Sequence, residues 1–312
     1  MDINAKAVIG TNSWGSRAYG KAIRGSYVED SVIKEAMREA SEQGLVICDL
    51  ARDYGLGKAQ KMFGEFAEET GGEYIISAKY TPFSRYKRGC VRKSLEKDLA
   101  EFRRSYADIY WLHLPTDIEE HMAEIMELYN EGKIRHIGIS NFNMEECLLS
   151  KEILDRAGIP LYGVQNHYSL ISREWEENGL LDWCRKNGIS FWGWAVLEEG
   201  LLTDPRGRKT SPMSLLLGRQ IRKMHELYKV MIAVAKRHDI TVAQVAQSYC
   251  ATKGVVPICG CRKPEQVRQL AKAADIRLTR GEIEKLEEAA DKSGAKVMGP
   301  DIFRFAVPKK RK

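Results

Sequence analysis

The sequence predicts an α/β protein, a (β/α)8 TIM barrel with an extra C-terminal helix, and three observations support this fold class. Eight short apolar, β-rich segments occur along the chain, and amphipathic helical segments alternate with them. Glycines follow several of the helical segments, at the position where a left-handed residue commonly ends a helix. Eight strands that are each followed by a helix close naturally into one barrel of parallel strands.

The eight predicted strands are short runs in which apolar residues dominate. In chain order they span residues 6–12, 44–50, 73–79, 107–113, 134–140, 161–166, 189–194 and 254–259. The repeated strand–helix order favours a parallel sheet over an antiparallel one.

The predicted helices occupy the segments between these strands and one segment after the last strand. In the first helix, Ile33, Ala36, Met37 and Ala40 recur at spacings of three and four, which places them on one face. The extra helix covers residues 278–292, and its start is a capping box. The other predicted helices span residues 28–43, 58–69, 92–104, 118–131, 144–157, 174–187, 213–252 and 264–274.

Composition and charge describe an ordinary globular chain. We predict one barrel domain over residues 1–298 and a C-terminal tail over 299–312 with a basic end. The net charge is +6, and the last four residues of the tail supply four of these charges, so we predict no nucleic-acid partner. The seven cysteines are scattered and predicted to be reduced. Neither a leader segment nor a long apolar run is evident, so we predict a cytoplasmic protein with no membrane partner.

Four side chains at the ends of successive strands form a candidate proton-transfer group. In a parallel barrel the carboxyl ends of all strands converge on one face. Asp49 and Tyr54 lie at and just after the second strand, while Lys79 and His113 end the third and fourth. A phenol has an ordinary pKa near ~10, and a neighbouring ammonium favours its ionised form. Asp49 would orient Lys79, and His113 would hydrogen-bond a carbonyl oxygen or relay a proton.

Strands five to eight end in residues that suit a nicotinamide dinucleotide. A hydride must come from such a cofactor, because side chains do not supply one. Hydroxyl and amide groups match the donor and acceptor of a carboxamide, an indole can stack on a flat ring, and cations at a helix start can receive a phosphate. The residues in question are Ser140, Asn141, Gln165 and Trp194, followed by Arg262 and Lys263 before a helix that begins near Pro264. The cationic pair favours the 2′-phosphate of NADP over NAD.

Eight motifs occur in order over nearly the whole chain, from about residue 8 to 290. They read GTNSWG, CDLARDYG, IISAKY, DIYWLHLP, GKIRHIGISNF, VQNHYSLISR, EGLLT and VVPICGCRKPEQV. On these motifs the sequence resembles the aldo-keto reductases.

The resemblance implies a reaction and a set of site residues. The reaction is the NADPH-dependent reduction of an aldehyde or ketone, a sugar-type carbonyl among the candidates, with Tyr54 as the proton donor. The implied catalytic tetrad is Asp49, Tyr54, Lys79 and His113. The implied NADP(H) contacts are Ser140, Asn141 and Gln165 at the carboxamide, Trp194 against the nicotinamide, Arg262 and Gln266 at the adenosine end, and Leu197, Gly200 and Cys261.

The substrate residues are predicted as a pocket with aromatic walls and a few polar groups. Trp14, Tyr80 and Trp111 are the leading candidates for the pocket wall, which suits sugars, aromatic aldehydes or quinones alike. Arg52, His167, Phe303 and Phe305 are further candidates. The substrate and the oligomeric state stay open at this stage.

Three alternatives compete with this interpretation. A cofactor-sensing regulatory subunit of the same fold, similar to potassium-channel β subunits, would keep the cofactor site without turnover. YGLGKAQ resembles a Rossmann turn, but Gln60 occupies its third glycine position. Cys259 and Cys261 flank a glycine, but no further ligands cluster with them, so we predict no metal site.

Overall fold

The computed structural model describes residues 3–15, 27–205 and 218–296. Within them, eight parallel strands form a closed barrel in chain order, β1 to β8, which confirms the predicted TIM barrel. The strands are β1 Val8–Gly10, β2 Ile47–Ala51, β3 Ile75–Tyr80, β4 Ala107–Leu112, β5 Ile134–Ser140, β6 Leu161–His167, β7 Ser190–Trp194 and β8 Val256–Gly260.

Helices follow the strands and surround the barrel. They are α1 Asp30–Glu42, α2 Ala59–Thr70, α3 Cys90–Phe102, α4 Ile118–Asn130, α5 Met144–Arg156, α6 Glu174–Glu177, α7 Leu180–Lys186, α8 Gly218–Lys223, α9 His225–His238, α10 Val242–Thr252, α11 Pro264–Asp275 and α12 Arg280–Ser293. In the described residues, no helix has the length and apolar character needed to cross a membrane.

Two of the predicted helices are wrong as single helices. The segment 174–187 is interrupted at Gly179, whose φ of 82° is left-handed, so α6 and α7 are separate. The long segment 213–252 contains α8, α9 and α10 in its described part, and residues 213–217 lie outside the described residues. Asp239, with φ 50°, ends α9, and the Thr241–Gln244 capping box starts α10.

Strand side chains alternate between the lumen of the barrel and the layer beneath the helices. The lumen holds a separate apolar cluster, and Ile3 and Ala5 at the amino end pack against it. Its buried members are Val8, Ile47, Ile109, Trp111, Trp192 and Ile258. The alternate side chains, Cys48 and Ala78 among them, join the larger core between sheet and helices.

Trp111 is one of two tryptophans in this part of the lumen, and two glycines lie against its ring. A Cβ added to Gly138 would lie 2.2 Å from Trp111 Cε3, and one added to Gly163 would lie 3.1 Å from Cη2. Gly138 is therefore required by the close approach of the indole ring, while a Cβ at Gly163 would also lie 2.9 Å from the Ser190 carbonyl oxygen.

The extra C-terminal helix is confirmed as α12, and several hydrogen bonds and ion pairs hold its N-terminus. Thr279 and Glu282 form the predicted capping box. Arg237 and His238 at the end of α9 also bind the Glu282 carboxylate, at 2.8 and 3.0 Å. Burial by itself raises the pKa of Glu282, but these hydrogen bonds outweigh burial and lower the pKa to about 2. The predicted tail, residues 299–312, lies outside the described residues.

All seven cysteines are free thiols. Six are buried, and burial raises the pKa of each of them above its ordinary value. Cys90, the first residue of α3, is the partly exposed one. Its sulfur accepts a hydrogen bond from Tyr80 Oη at 3.1 Å.

Candidate active site

The ends of β2, β3 and β4 gather the four predicted proton-transfer residues. Asp49 and Lys79 lie on the strands, His113 directly follows β4, and Tyr54 begins a 3₁₀ turn, Tyr54–Leu56, after β2. Gly55 holds this turn against the loop after β1, with φ 59° and its N–H donating to the Asn12 carbonyl at 2.9 Å. A Cβ at Gly55 would lie 1.9 Å from the Trp14 carbonyl oxygen, so the residue beside Tyr54 must be glycine.

Asp49 and Lys79 form a buried ion pair. Lys79 Nζ lies 2.5 Å from Asp49 Oδ2, and the two residues are 0% and 2% exposed. The second carboxylate oxygen accepts from Ser77 Oγ at 3.2 Å and from Gln165 Nε2 at 3.1 Å. The carboxylate is thus satisfied on both oxygens, as a buried charge must be.

Lys79 stands between this carboxylate and the phenol of Tyr54. Its Nζ lies 4.8 Å from the centre of the Tyr54 ring. Burial lowers the pKa of Lys79, and the charge and hydrogen bond of Asp49 oppose that effect. Asp49 therefore supports the ammonium form at a place where burial would otherwise remove the proton.

His113 completes the group as a neutral imidazole. Burial lowers its pKa well below the ordinary value of 6.5, and the Lys79 charge lowers it further. The ring lies edge-on to Tyr54, with centroids 6.5 Å apart. Its Nδ1 is 2.7 Å from Thr81 Oγ1, so a Thr81 hydroxyl that donates there leaves the ring proton on Nε2.

Sequence reasoning missed Thr81. Thr81 Oγ1 also reaches Asp53 Oδ1 at 3.4 Å, in the loop that carries Tyr54. The signal was present, since Thr81 lies two residues after Lys79 and so continues the same side of the strand.

The predicted carboxamide residues do come together, on a network that begins at His113. Asn141, held at φ 64°, donates through Nδ2 to the His113 carbonyl at 3.0 Å and to Ser140 Oγ at 3.2 Å. Its Oδ1 accepts from Trp194 Nε1 at 3.1 Å. Ser140 Oγ donates to the Gln165 carbonyl at 2.8 Å. Hydrogen bonds thus connect the ends of β4, β5, β6 and β7.

The adenosine-end residues lie where the predicted helix begins. Pro264 is the first residue of α11, and Gln266 Oε1 accepts from the Arg262 N–H at 2.8 Å. Cys261 is 1% exposed, and its carbonyl accepts from Trp14 Nε1 at 3.0 Å. The Cys261 side chain therefore faces the core.

The predicted Leu197 and Gly200 belong to a second tight turn, after β7. Leu197 is the residue before the 3₁₀ turn Glu198–Gly200, and Gly200 has φ 90°. A Cβ at Gly200 would meet nothing within 4 Å, so this turn presents backbone to open space.

The structure does not bring the predicted substrate residues together at the mouth. Tyr80 points away from the lumen: its hydroxyl donates to Cys90 and its ring lies 5.3 Å from His121 on α4. The alternation of β3 explains this, because Lys79 takes the inward position. Trp111 is fully buried in the lumen, with Nε1 donating to Ser77 Oγ at 2.8 Å, and Trp14 is 1% exposed.

The further pocket candidates are also placed differently. His167 is 1% exposed and stacks on Trp194 rather than facing the mouth. Arg52 turns back to form an ion pair with the buried Asp98. Phe303 and Phe305 lie outside the described residues.

A closed (β/α)8 barrel with a carboxylate, an ammonium, a phenol and an imidazole at its carboxyl rim defines the class, a barrel oxidoreductase. The sequence profile of the Aldo/keto reductase family matches residues 6–291, and the chain belongs to that family. Proteins of this family use a nicotinamide cofactor.

Known relatives are similar in sequence over more than half of the chain. Chloroplastic pyridoxal reductase of Arabidopsis thaliana is 26% identical over 93% of this chain and 86% of its own length. An aldo-keto reductase of Bacillus subtilis is 33% identical over 62% of this chain and 60% of its own length.

Solved structures show the same fold. A thermostable aldo-keto reductase crystallised with the inhibitor epalrestat superposes with a TM-score of 0.72 at 25% identity, covering 91% of this chain and 94% of its own. An aldo-keto reductase of Klebsiella pneumoniae, in complex with NADP and acetate, gives 0.69 at 24% identity, covering 98% and 93%.

Proposed function

We propose that this chain catalyses the NADPH-dependent reduction of an aldehyde or ketone to the alcohol, with Tyr54 as the proton donor. The observation that supports this most directly is the buried Asp49–Lys79 ion pair, whose ammonium lies 4.8 Å from the Tyr54 ring. A buried charge of this kind is costly to maintain, and an apolar pair would fill the space at least as stably.

Tyr54 gives up its proton as negative charge develops on the carbonyl oxygen. The Lys79 ammonium stabilises the phenolate that remains, and this stabilisation is strong because the pair is shielded from water. Asp49 favours the protonated form of Lys79 and fixes its position. Positioned acid catalysis of this type contributes on the order of 10²- to 10⁴-fold to a rate.

His113 has a different task, because its low pKa keeps it uncharged at neutral pH. A neutral imidazole with its proton on Nε2 donates one hydrogen bond, which orients the carbonyl oxygen toward Tyr54. When the single Thr81 hydroxyl proton points to Nδ1, 2.7 Å away, rather than to Asp53 Oδ1 at 3.4 Å, it selects this tautomer.

The cofactor supplies the hydride when bound, and the residues present fit it. Asn141, Ser140 and Gln165 carry the amide and hydroxyl groups that a carboxamide needs, and Trp194 offers an indole face beside them. Arg262 and Lys263, with Gln266, lie at the start of α11, where cations and helix amides suit the 2′-phosphate of NADPH. The turn at Leu197 and Gly200 would contact the rest of the dinucleotide, whereas Cys261 is buried beneath the site.

The decisive experiment replaces Tyr54 with Phe, which removes one hydroxyl. We expect kcat to fall on the order of 10²- to 10⁴-fold while the Kd for NADPH changes little. NADPH oxidation would be followed over a panel of sugars, aliphatic aldehydes, ketosteroids and quinones. The matched control is Tyr162→Phe at the far end of the barrel, where the hydroxyl donates to the Ile3 carbonyl at 3.4 Å.

Two results would reject the proposal. A Tyr54→Phe variant as active as the wild type would show that the phenol donates no proton. A wild-type protein that binds NADPH tightly yet reduces no member of the panel would favour a cofactor-sensing regulatory subunit instead.

A further inference from the structure

An unassigned histidine lies directly against the indole ring of Trp194. His167 and Trp194 are paired positions on the neighbouring strands β6 and β7. Their rings are stacked, with centroids 4.7 Å apart and planes inclined by 23°. Because His167 is buried, its ring supports one face of the indole and is shielded from solvent.

A buried carboxylate holds this histidine. Glu198 is 0% exposed, and its Oε1 accepts from His167 Nε2 at 2.8 Å and from Ser169 Oγ at 2.5 Å. On the other side of the imidazole, Ser172 Oγ lies 3.4 Å from Nδ1. The histidine ring is therefore fixed on both of its nitrogens.

Glu198 is an expensive choice for this position. Its second oxygen, Oε2, is buried without a hydrogen-bond partner among the described residues. Its backbone is held at φ 46°, in the left-handed region that non-glycine residues avoid, and Ala195 in the same turn is at φ 56°. A buried carboxylate that only filled space would be replaced by an apolar side chain without loss.

The contacts of the pair indicate what it does. Trp194 is fixed at its edge by Asn141, at 3.1 Å, and against one face by His167. We infer that Glu198 and His167 form a positioning pair that fixes the plane of the Trp194 ring, and with it the nicotinamide that stacks there. This inference rests on the proposed function, which gives Trp194 that role.

The kinetic consequence follows from the geometry that hydride transfer needs. A shift of about 1 Å in a reacting group can lower a rate on the order of 10²-fold. The adenosine end of the cofactor is held by other residues, so its affinity should depend little on the pair. Loosening Trp194 should therefore lower kcat much more than it weakens NADPH binding.

Four variants test the pair. Glu198→Gln keeps an acceptor oxygen for His167 and Ser169, whereas Glu198→Leu removes it. We expect Glu198→Gln to retain kcat within about 3-fold and Glu198→Leu to lose on the order of 10- to 100-fold, with the Kd for NADPH changed less than about 3-fold. The double variant His167→Phe/Glu198→Leu keeps a flat ring and an apolar partner, so it separates tethering from folding. It should be as stable as the wild type and still lose about 10-fold in kcat.

A stereochemical readout distinguishes positioning from general stability. With deuterium on one or the other face of the NADPH ring, the wild type should transfer label from a single face. Glu198→Leu should transfer measurable label from both faces, because an unsupported indole no longer fixes the ring. Unchanged kcat and unchanged face selectivity in Glu198→Leu would overturn the inference.

A cofactor-free measurement keeps this test independent of the proposed function. The emission of Trp194 is isolated by subtracting the spectrum of Trp194→Phe, the fourth variant, and its quenching by acrylamide is measured. Glu198→Leu should increase that quenching about 2-fold or more over Glu198→Gln. If the wild type reduces no carbonyl, the proposed function fails, while this result still decides whether the pair holds the indole. Equal quenching in the two variants would show that it does not.

Discussion

The amino-end half of the barrel lumen and its carboxyl rim use inward-facing positions of the same strands, yet their chemistry is opposite. Along β3 the inward side chains change from Ile75 to Ser77 to Lys79 over five residues. The lower half is apolar and filled, so its side chains stabilise the fold by burial alone. The rim is buried too, but each charged group there needs a specific partner.

Trp111 joins the two halves. Its ring packs in the lower half against Gly138 and Gly163, while Nε1 donates to Ser77, which donates to Asp49. The comparison teaches that the filled lower half of the lumen is the rigid support on which the polar rim is positioned. Changes in the rim should therefore affect activity, and changes in the lower half should affect stability first.

The largest expected effect comes from removing the rim ion pair as a unit. Asp49→Asn/Lys79→Met should lower kcat/KM by about 10³-fold or more, because the phenol loses its cation. The free energy of unfolding, measured with urea, should change by only about 1 kcal/mol, since a buried pair replaced as a pair costs little. Lys79→Met alone should cost about 3–5 kcal/mol, because Asp49 is left unpaired. Equal stability losses in both variants would break the comparison.

The next effect tests the packing of the lower half of the lumen. Gly138→Ala places a methyl group 2.2 Å from Trp111 Cε3, so overpacking should cost about 1–3 kcal/mol in urea unfolding. The matched control is Gly281→Ala on the exposed face of α12, where an added Cβ meets nothing within 4 Å. This control should be stabilised by about 0.5–1 kcal/mol. A Gly138→Ala protein of wild-type stability would show that the lower half of the lumen is not tightly packed.

A smaller effect concerns pH, to which the rim should respond through His113. The pKa of His113 is lowered by folding, so stability is complete above pH 6.5 and is lost as the pH falls, by up to about 1.4 kcal/mol per unit. His113→Asn should remove this loss. Burial raises the pKa of Asp98 to about 7, which acts in the opposite direction between pH 3.8 and 7, so variant and wild type must be compared at each pH.

Glu282 provides an internal control for that experiment. Its pKa of about 2 means that its stabilisation is present above pH 4.5 and is lost as the pH falls toward 2. His113→Asn should leave the loss of stability between pH 4.5 and 2 unchanged, whereas Glu282→Gln should abolish that loss. If the free energies of unfolding of the wild type and His113→Asn changed in parallel between pH 6.5 and 5, the loss of stability below pH 6.5 could not be assigned to His113.

The smallest effect is expected far from both halves. Lys292 and Glu288 form an ion pair one turn apart on α12, with side chains 72% and 64% exposed. Lys292→Ala should lower the free energy of unfolding by no more than about 0.5 kcal/mol and leave turnover unchanged. A larger loss would show that exposed charges contribute to this barrel as buried packing does.

The sequence predicted the strands and the meeting of the four rim side chains because both follow from local patterns. Short apolar runs identify strands, and the rule that parallel strand ends converge identifies Asp49, Lys79 and His113 without any distance. Alternation along β3 could have corrected Tyr80 and found Thr81, since both follow from the inward position of Lys79.

Other features could not be read from the pattern. The place of Glu198 depends on left-handed residues at Ala195 and Glu198, which alanine and glutamate do not signal. The stacking of His167 on Trp194 depends on the register between β6 and β7, and strands that are buried on both faces show no alternation from which that register could be read.

Because six of the seven cysteines are buried, the number of thiols that react with a reagent reports how far the protein has unfolded. A thiolate adds to the double bond of a maleimide, so in the native state this reagent should modify Cys90 and spare the shielded thiols. Once the barrel opens, all seven react. Mass spectrometry of partly denatured samples would then show two populations, singly and sevenfold labelled, if the barrel unfolds as one cooperative unit.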